Sequence, residues 1–528
     1  MTGSPKIQAQ AAGTSYPSSY SLVEQGLVTP VKNQEPYGTC WTFAAIACME
    51  HNALMQGFGT YDLSEAQLGY FMFHNPTKQA PGLEGDYVIY NEAYGDWFEQ
   101  GGNNLLTTRL LAKGYGPVLE EEVPYSSVTT QISDKYAYGH NAFSLKAAYI
   151  IEVGNTKEMK KAIMNYGGIT MSVKMSESKK DYNSTTASLY VKDKSVIPNH
   201  DVCVVGWDDN YSRENFGKNK PAKDGAWLCK NSYGEKFGLD GYFWVSYEDK
   251  AANRAGMTCQ AFVLGAKDTY NVIYQYDGGG SDATVKGVAA ANIFKARAKE
   301  KISAVQIMNC KNGTKATICI YTGVSKGNPE SGKLVLSQNV DLGTMGYDTV
   351  KLSKGVTVKK GQKFSVCVKY SETSKIHLDR DQDFKWIAFD IQAKDGQSYV
   401  RVSESGKWIS LGEGANSQGI EANVRIKALG TTIATEDEPI LEAPSNLSIS
   451  SVNGQVTLKW KKSEGATKYL IYRKELGGKY SLSATLGNTK TYVDRTVQTG
   501  KTYYYKIKAV SSDGVKSEAS VVKKILVK

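Results

Sequence analysis

Apolar and polar residues recur with two different periods along this chain, and the change of period divides it. After the turn-rich stretch Pro30-Val31-Lys32-Asn33-Gln34-Glu35-Pro36-Tyr37-Gly38-Thr39, apolar side chains run at helical spacing from Cys40 and Trp41 through Phe43, Ile46, Ala47, Cys48, Met49 and Leu54, which predicts a helix beginning at the cysteine. Asp62-Leu63-Ser64-Glu65-Ala66-Gln67-Leu68 predicts a second, with Ser64 opening it and Gln67 at the capping-box position. Leu105, Leu106, Leu110 and Leu111 mark a third behind Gln100-Gly101-Gly102-Asn103. Gly167-Gly168 reads as a turn into a strand through Val173, and Asn199-His200-Asp201-Val202-Cys203-Val204-Val205-Gly206-Trp207 as a buried strand opened by a histidine.

From about residue 265 the period falls to two. Short alternating runs such as Ala304-Val305-Gln306-Ile307, Ala316-Thr317-Ile318-Cys319-Ile320-Tyr321 and Phe364-Ser365-Val366-Cys367-Val368 predict a β-sandwich over 265–430. Residues 431–443 are polar, with Glu436, Asp437, Glu438 and Pro439, and read as a linker. A second alternating segment, 444–528, carries Val456-Thr457-Leu458-Lys459-Trp460, Tyr469-Leu470-Ile471-Tyr472 and Tyr503-Tyr504-Tyr505-Lys506-Ile507. The first sixteen residues are small and polar and are expected to be flexible. The chain is therefore expected to be multidomain, α+β first and β afterwards, as its 528 residues require.

Composition adds two constraints. Eight cysteines, at 40, 48, 203, 229, 259, 310, 319 and 367, contain no CxxC pair, which argues against both a disulfide scaffold and a zinc site. The net charge of +10 is local: residues 442–528 hold 16 Lys+Arg against 6 Asp+Glu, giving +10, and the remainder balances at 47 against 47. The tail segment thus has the charge to meet an anionic cell-wall polymer or glycan, or simply presents a solvated lysine-rich surface. No run approaches the roughly 18 apolar residues of a transmembrane helix, residues 1–20 contain no apolar signal core, and nothing points to nucleic acid.

The chemistry gathers at Cys40. A cysteine at a helix N-terminus faces unpaired backbone N–H groups and the positive end of the macrodipole, both of which favour a thiolate. Gln34, six residues upstream, and the Cys40 backbone N–H are candidate donors to an oxyanion. His200 begins a strand leading into Gly206-Trp207, and Trp227-Leu228-Cys229-Lys230-Asn231-Ser232-Tyr233-Gly234 follows. His51 and His74 fall on or after helices and read as structural, and Cys48 reads as core.

Taken in order, Gln34, Cys40-Trp41, His200 and Lys230-Asn231-Ser232 resemble the papain-type cysteine proteases over residues 17–262. The resemblance implies an α+β papain-like fold and a peptidase that hydrolyses peptide bonds through an acyl-thioester, with protein or peptide substrates and no required cofactor. Cys40 is the implied nucleophile, His200 the base and then acid, Asn231 the group that holds the ring, and Gln34 part of the oxyanion hole. A thiolate–imidazolium pair is expected at rest. Gly101 and Gly102 are the implied backbone contacts for an extended substrate, Asn199 and Asp201 walls of the second subsite, and Trp41 and Tyr233 further substrate contacts. Tyr37 stands where the family usually carries a disulfide cysteine, and Tyr233 where it carries a tryptophan over the Asn–His hydrogen bond. The 160 residues from Cys40 to His200 exceed the roughly 130–150 of that family, which implies an insertion at 125–145 or 176–197. No inhibitory pro-segment precedes Tyr16 in these residues, so the resemblance implies a mature or nearly mature form.

Residues 265–430 with their Asn271-Val272-Ile273-Tyr274-Gln275-Tyr276-Asp277 lead-in resemble the lectin-like domain of clostridial surface cysteine proteases, and 444–528 resemble a fibronectin type III module. Asp379, Asp381 and Asp383 have calcium-ligand chemistry. These resemblances imply an extracellular or bacterial cell-surface location. Two other readings remain at this stage: another Cys-His acyl-transfer enzyme such as a cell-wall amidase, and a surface adhesin with a degenerate protease domain.

Overall fold

The computed structural model describes residues 16–267, 269–280, 283–414, 416–417, 419–433, 441–512 and 514–528. The chain divides into two compact units, Met1–Ile433 and Ala434–Lys528. In the first, helices α1 (Cys40–Met55), α2 (Glu65–Phe73) and α3 (Asn104–Ala112) form where the apolar spacing placed them, and α4 (Thr156–Tyr166) is an additional amphipathic helix burying Met159, Ala162 and Ile163. Ser64 caps α2 by accepting from the Gln67 N–H at 3.0 Å. α1 is buried over nearly its whole length, a helix apolar all round because it runs through the core.

The strand His200–Asp208 is the centre of a seven-stranded sheet. Ser19–Ser21 and Ile169–Val173 pair with it antiparallel, as does Ala226–Lys230, which brings Lys230 opposite Cys203. α1 packs against this strand. The cysteine at the start of α1, the histidine at the start of the strand and the asparagine just after Ala226–Lys230 are thus carried by neighbouring elements.

The expected break at 262–265 falls at the end of a strand, and strand pairing crosses between the regions on either side of it. Thr258–Gly265 is one strand, paired with Ser144–Glu152, and Ser144–Glu152 continues across to Gly346–Val358 through Ala147↔Asp348, Ala148↔Tyr347 and Tyr149↔Gly346. A second bridge pairs Tyr87–Tyr90 with Ile387–Asp390. Residues 265–430 are β-rich, as expected, around Phe294, Ile302, Ile318, Phe364, Val366 and Ile426. Sequence alternation marks strands but not their partners, so a sheet running from one expected domain into the next left no trace in it.

A buried ionic network lies along this join. Lys427 and Asp277, both wholly buried, pair at 2.8 Å, and Arg425 and Asp379 pair at 3.0 Å. The Tyr347 hydroxyl donates to Asp277 at 3.0 Å and accepts from Arg425 at 3.0 Å. Lys427 donates to Gln275, whose amide in turn donates to the backbone carbonyl of Lys113 behind α3. Asp379 is therefore committed to Arg425 and to the Gly279 N–H, Asp381 accepts from the Ile391 N–H, and Asp383 is exposed. Among the described residues no three His, Cys, Asp or Glu side chains converge as metal ligands.

The second unit is a small β-sandwich. Ser445–Val452, Gln455–Lys461 and Thr491–Asp494 form one sheet, and Ser481–Leu486, Ala466–Glu475, Thr502–Ser511 and Lys523–Leu526 the other, around Leu458, Trp460, Tyr469, Ile471, Tyr505 and Ile507. Of the flexible stretch expected at 1–16, all but Tyr16 lies outside the described residues, and so do residues 434–440 of the expected linker.

Removing one member of a buried ion pair leaves its partner charged in a low-dielectric site, which costs about 3–5 kcal/mol. Asp277→Ala is expected to lower stability in urea unfolding by about that amount, and the paired replacement Asp277→Leu with Lys427→Met to recover most of it. A single variant as stable as the parent would show that the pair does not hold the join.

Candidate active site

The loop ahead of α1 is anchored from below by a single ammonium. Lys32 Nζ meets Glu50 of α1 at 2.9 Å, Glu65 of α2 at 2.9 Å and Asp62 at 2.7 Å, and Glu50 also accepts from the Leu63 N–H and the Thr29 hydroxyl. Burial pushes the Glu65 carboxyl up to about 8 against the pull of Lys32, so the ammonium is what makes two buried acids tolerable here. Above, the Tyr125 hydroxyl donates to the Gln34 carbonyl at 2.7 Å and lies 2.6 Å from Thr39 Oγ1. Thr39 precedes α1, and no side chain caps the helix. The first N–H groups of α1 consequently remain free for a ligand at Cys40.

Gln34 is 6% exposed and is held at three points. Its backbone N–H donates to the Ser232 carbonyl, its Oε1 accepts from the Ser232 hydroxyl at 2.6 Å, and one N–H of Nε2 donates to the Tyr37 carbonyl at 2.8 Å. The amide orientation is thereby fixed, leaving the second Nε2–H to donate elsewhere. Tyr37, in place of a disulfide, packs edge-on to Phe98 at 5.0 Å, and the Gly38 N–H donates to the Phe98 carbonyl at 2.8 Å. These contacts tie the nucleophile loop to the segment before Gly101.

His200 Nε2 lies 2.7 Å from Asn231 Oδ1, with both residues 4% exposed. Because Asn231 presents an oxygen, Nε2 carries the proton of the neutral ring and Nδ1 is the acceptor. Tyr233 fills that position: its hydroxyl is 3.2 Å from Nδ1 and its ring lies 4.7 Å from the imidazole, tilted 33°. The tyrosine covers the Asn–His bond as the sequence suggested and in addition places its hydroxyl at the second ring nitrogen.

Electrostatics oppose the expected resting ion pair. Burial pushes the Cys40 thiol up to about 12, with the neighbouring Asp201 carboxylate adding to the rise and the N–H groups of Asp201, Trp41 and Cys40 working against it. Burial likewise pulls His200 down to about 4, partly offset by Asn231. Among the described residues no hydrogen bond joins Cys40 to His200, and burial acts against the charged form of each.

The remaining expected residues separate into cleft and support. Gly101 has φ +70°, and a Cβ on Gly102 would meet the Trp41 ring at 2.5 Å, so the exposed backbone of this edge requires glycine at both positions. Trp41 is 1% exposed beneath Gly102 and supports the edge instead of touching substrate, a correction to its expected role. Asp201 is also withdrawn: it accepts from Asn104 at 2.9 Å and Ser172 at 2.5 Å, 6% exposed. Asn199 is exposed and accepts from the Met175 N–H. Sequence reasoning assigned no role to Ser232, Tyr125 or Asn104. Ser232 adjoins Asn231 in the motif, but Tyr125 and Asn104 lie far from their partners along the chain, which hid the contacts they make.

Residues 16–263 match the papain family cysteine proteases, residues 273–430 a lectin-like domain, and residues 444–524 the C-terminal domain of GH85 endohexosaminidases, in place of the fibronectin type III description expected there. Rat (Rattus norvegicus) procathepsin L is 26% identical over 245 residues, 46% of this chain; the chain spans 64% of that protein's length. The structure of the clostridial cysteine protease Cwp84 after propeptide cleavage superposes with a TM-score of 0.67 at 27% identity, covering 79% of this chain and 99% of that one. The cysteine protease and lectin-like domains of Cwp84, a surface layer associated protein of Clostridium difficile, give 0.66 at 26% identity, covering 81% and 91%.

Burial also pushes the Asp201 carboxyl up to about 6 from an ordinary 3.8, so it is protonated below that pH and charged above it. Above pH ~6 its charge opposes the Cys40 thiolate, and Asp201→Asn removes that opposition. In the variant the pH profile of iodoacetamide alkylation at Cys40 should shift to lower pH, with the two proteins converging below pH ~6. Superimposable profiles at pH 7–9 would exclude a role for Asp201 in setting the thiol.

Proposed function

We propose that this chain, whose residues 16–263 are a papain family cysteine protease domain, is a secreted or cell-surface endopeptidase acting through Cys40, His200, Asn231 and Gln34. The observation that carries the reading is the convergence of an uncapped helix N-terminus at Cys40, an amide fixed by Ser232 at Gln34, and an imidazole fixed by Asn231. The Tyr233 hydroxyl yields Nδ1 as substrate enters. The thiol proton moves to Nδ1 while Sγ attacks the scissile carbonyl carbon. The developing oxyanion takes hydrogen bonds from the free Nε2–H of Gln34 and the Cys40 N–H. Collapse breaks the C–N bond, the leaving amine takes the proton from Nδ1, and an acyl-thioester remains. Water then attacks, giving a proton to Nδ1, and the second collapse releases the carboxylic acid and returns the proton to Sγ.

A surface location is supported by the likeness to the surface layer associated Cwp84; among the described residues no helix is long and apolar enough to cross a membrane. The 444–528 sandwich, three strands on four, is the arrangement from which we read a fibronectin type III-like spacer or adhesion module. Its four-stranded sheet carries a face of alternating lysines and tyrosines: Lys474 over Tyr480 and Tyr504, Lys506 over Tyr480 at 4.3 Å, and Lys524 over Tyr504. Such a face suits an anionic wall polymer or glycan, the lysines meeting charge and the rings stacking on sugar.

Hydrolysis of peptidyl-fluorophore substrates varied at the second-subsite residue tests the central reading. Turnover is expected in the intact chain, blocked by a thiol-directed epoxide and reduced by at least about 10³-fold in Cys40→Ala. No turnover under reducing conditions, with Cys40 unlabelled by the epoxide, would refute it. On a heparin column, Lys474→Glu with Lys506→Glu should elute at lower salt than Lys459→Glu with Lys461→Glu, which makes the same charge change on the other sheet; equal elution would remove the tyrosine–lysine face from the account.

A further inference from the structure

A cleft of about 720 Å³ opens between α3 and the Gln382–Asp390 hairpin, lined by Leu105, Leu106, Phe384, Trp386, Ile387 and Arg380. We propose that it is a substrate subsite built by the lectin-like region for the protease: it takes the residues of the peptide beyond the second subsite, an apolar or aromatic side chain with an acidic neighbour. The inference rests on the peptidase reading above.

The cleft continues the substrate edge. Asp201, beside His200, is bonded to Asn104, and Asn103 both caps α3 and lines the cleft directly after Gly101-Gly102. A peptide extended along that glycine edge away from Cys40 therefore arrives at the start of α3, where the cleft begins. Its far wall is rigidly placed. The Ile387–Asp390 strand pairs with Tyr87–Tyr90, the Asn91 N–H donates to the Trp386 carbonyl at 3.0 Å, the Asn91 side chain donates to Lys385, and Trp386 lies 6.0 Å from Phe73 of α2. Phe384 stacks on Trp386 at 6.4 Å and remains 42% exposed, an apolar surface held open at the end of the cleft. Arg380 is exposed at the rim beside Asp381, and Arg109 also lines the cleft; the two cations outnumber the one acid, which is why a carboxylate beside the apolar anchor fits better than a cation.

The test uses the full chain carrying Cys40→Ala, so that binding is read apart from turnover. Calorimetry compares one short peptide extended at its N-terminus by Glu-Phe or by Gly-Gly. The Glu-Phe extension should bind about tenfold more tightly, the size of effect that burying one aromatic side chain supplies. Adding Phe384→Ala, a change at an exposed position with little structural risk, should abolish the difference while leaving the Gly-Gly peptide unchanged. Equal binding of the two extensions, or a preference that survives Phe384→Ala, overturns the proposal. The same peptides offered to the chain with Cys40 intact separate the two readings: preferential binding without any cleavage keeps the subsite and refutes the peptidase, whereas cleavage indifferent to the extension refutes the subsite alone.

Discussion

The site depends on one half-buried ammonium. Lys32 sits among Glu50, Glu65 and Asp62 and joins the loop before the nucleophile to both α1 and α2. Glu50 and Glu65 are almost wholly buried, and without a cation they would be held in a medium that penalises their charge heavily. The anchor leaves the loop one position. From it follow the placement of Gln34 against Ser232, the free N-terminus of α1 at Cys40, and the contact of Tyr37 with Phe98. A disulfide is dispensable where charge, hydrogen bonds and an aromatic edge close the same loop.

The same device recurs at the join between the protease and lectin-like regions. Lys427, Asp277, Arg425 and Asp379 are buried where two sheets merge, and their hydrogen bonds run through Tyr347 and Gln275 to the end of α3. Buried ion pairs contribute little net stability but penalise misplacement strongly, because any shift leaves charges uncompensated. Together with the strand pairings at 147–149 and 87–90 they fix the hairpin that carries Phe384 and Trp386 relative to the substrate edge. The lectin-like region is thus part of the cleft's architecture and not an appendage to it.

Tyr233 shows how one side chain changes what the imidazole meets. A tryptophan would cover the Asn231–His200 bond without offering a group to Nδ1; tyrosine covers it and supplies a hydroxyl at 3.2 Å. Burial acts against both the thiolate and the imidazolium, opposite to the pull of the helix N-terminus on the thiol.

Much was legible in the sequence because it is local. The helix at Cys40, the cap at Ser64, the buried strand opened by His200 and the alternation after residue 265 follow from period and turn chemistry within a few residues. The order Gln34, Cys40, His200, Asn231 carried the candidate chemistry, since each sits in its own short motif. Tertiary structure alone decided the rest. Trp41 turned inward beneath Gly102 because the glycine backbone approaches its ring, and Asp201 was withdrawn by Asn104 and Ser172. The regions on either side of 262–265 share a sheet because strand pairing joins residues some two hundred positions apart. The tail's pattern marked a β-sandwich but not its kind, because alternation around a core tryptophan is what any such sandwich requires. The sequence determined which residues hold reactive chemistry and which faces are apolar; burial, strand register and the sharing of charges decided which of them meet.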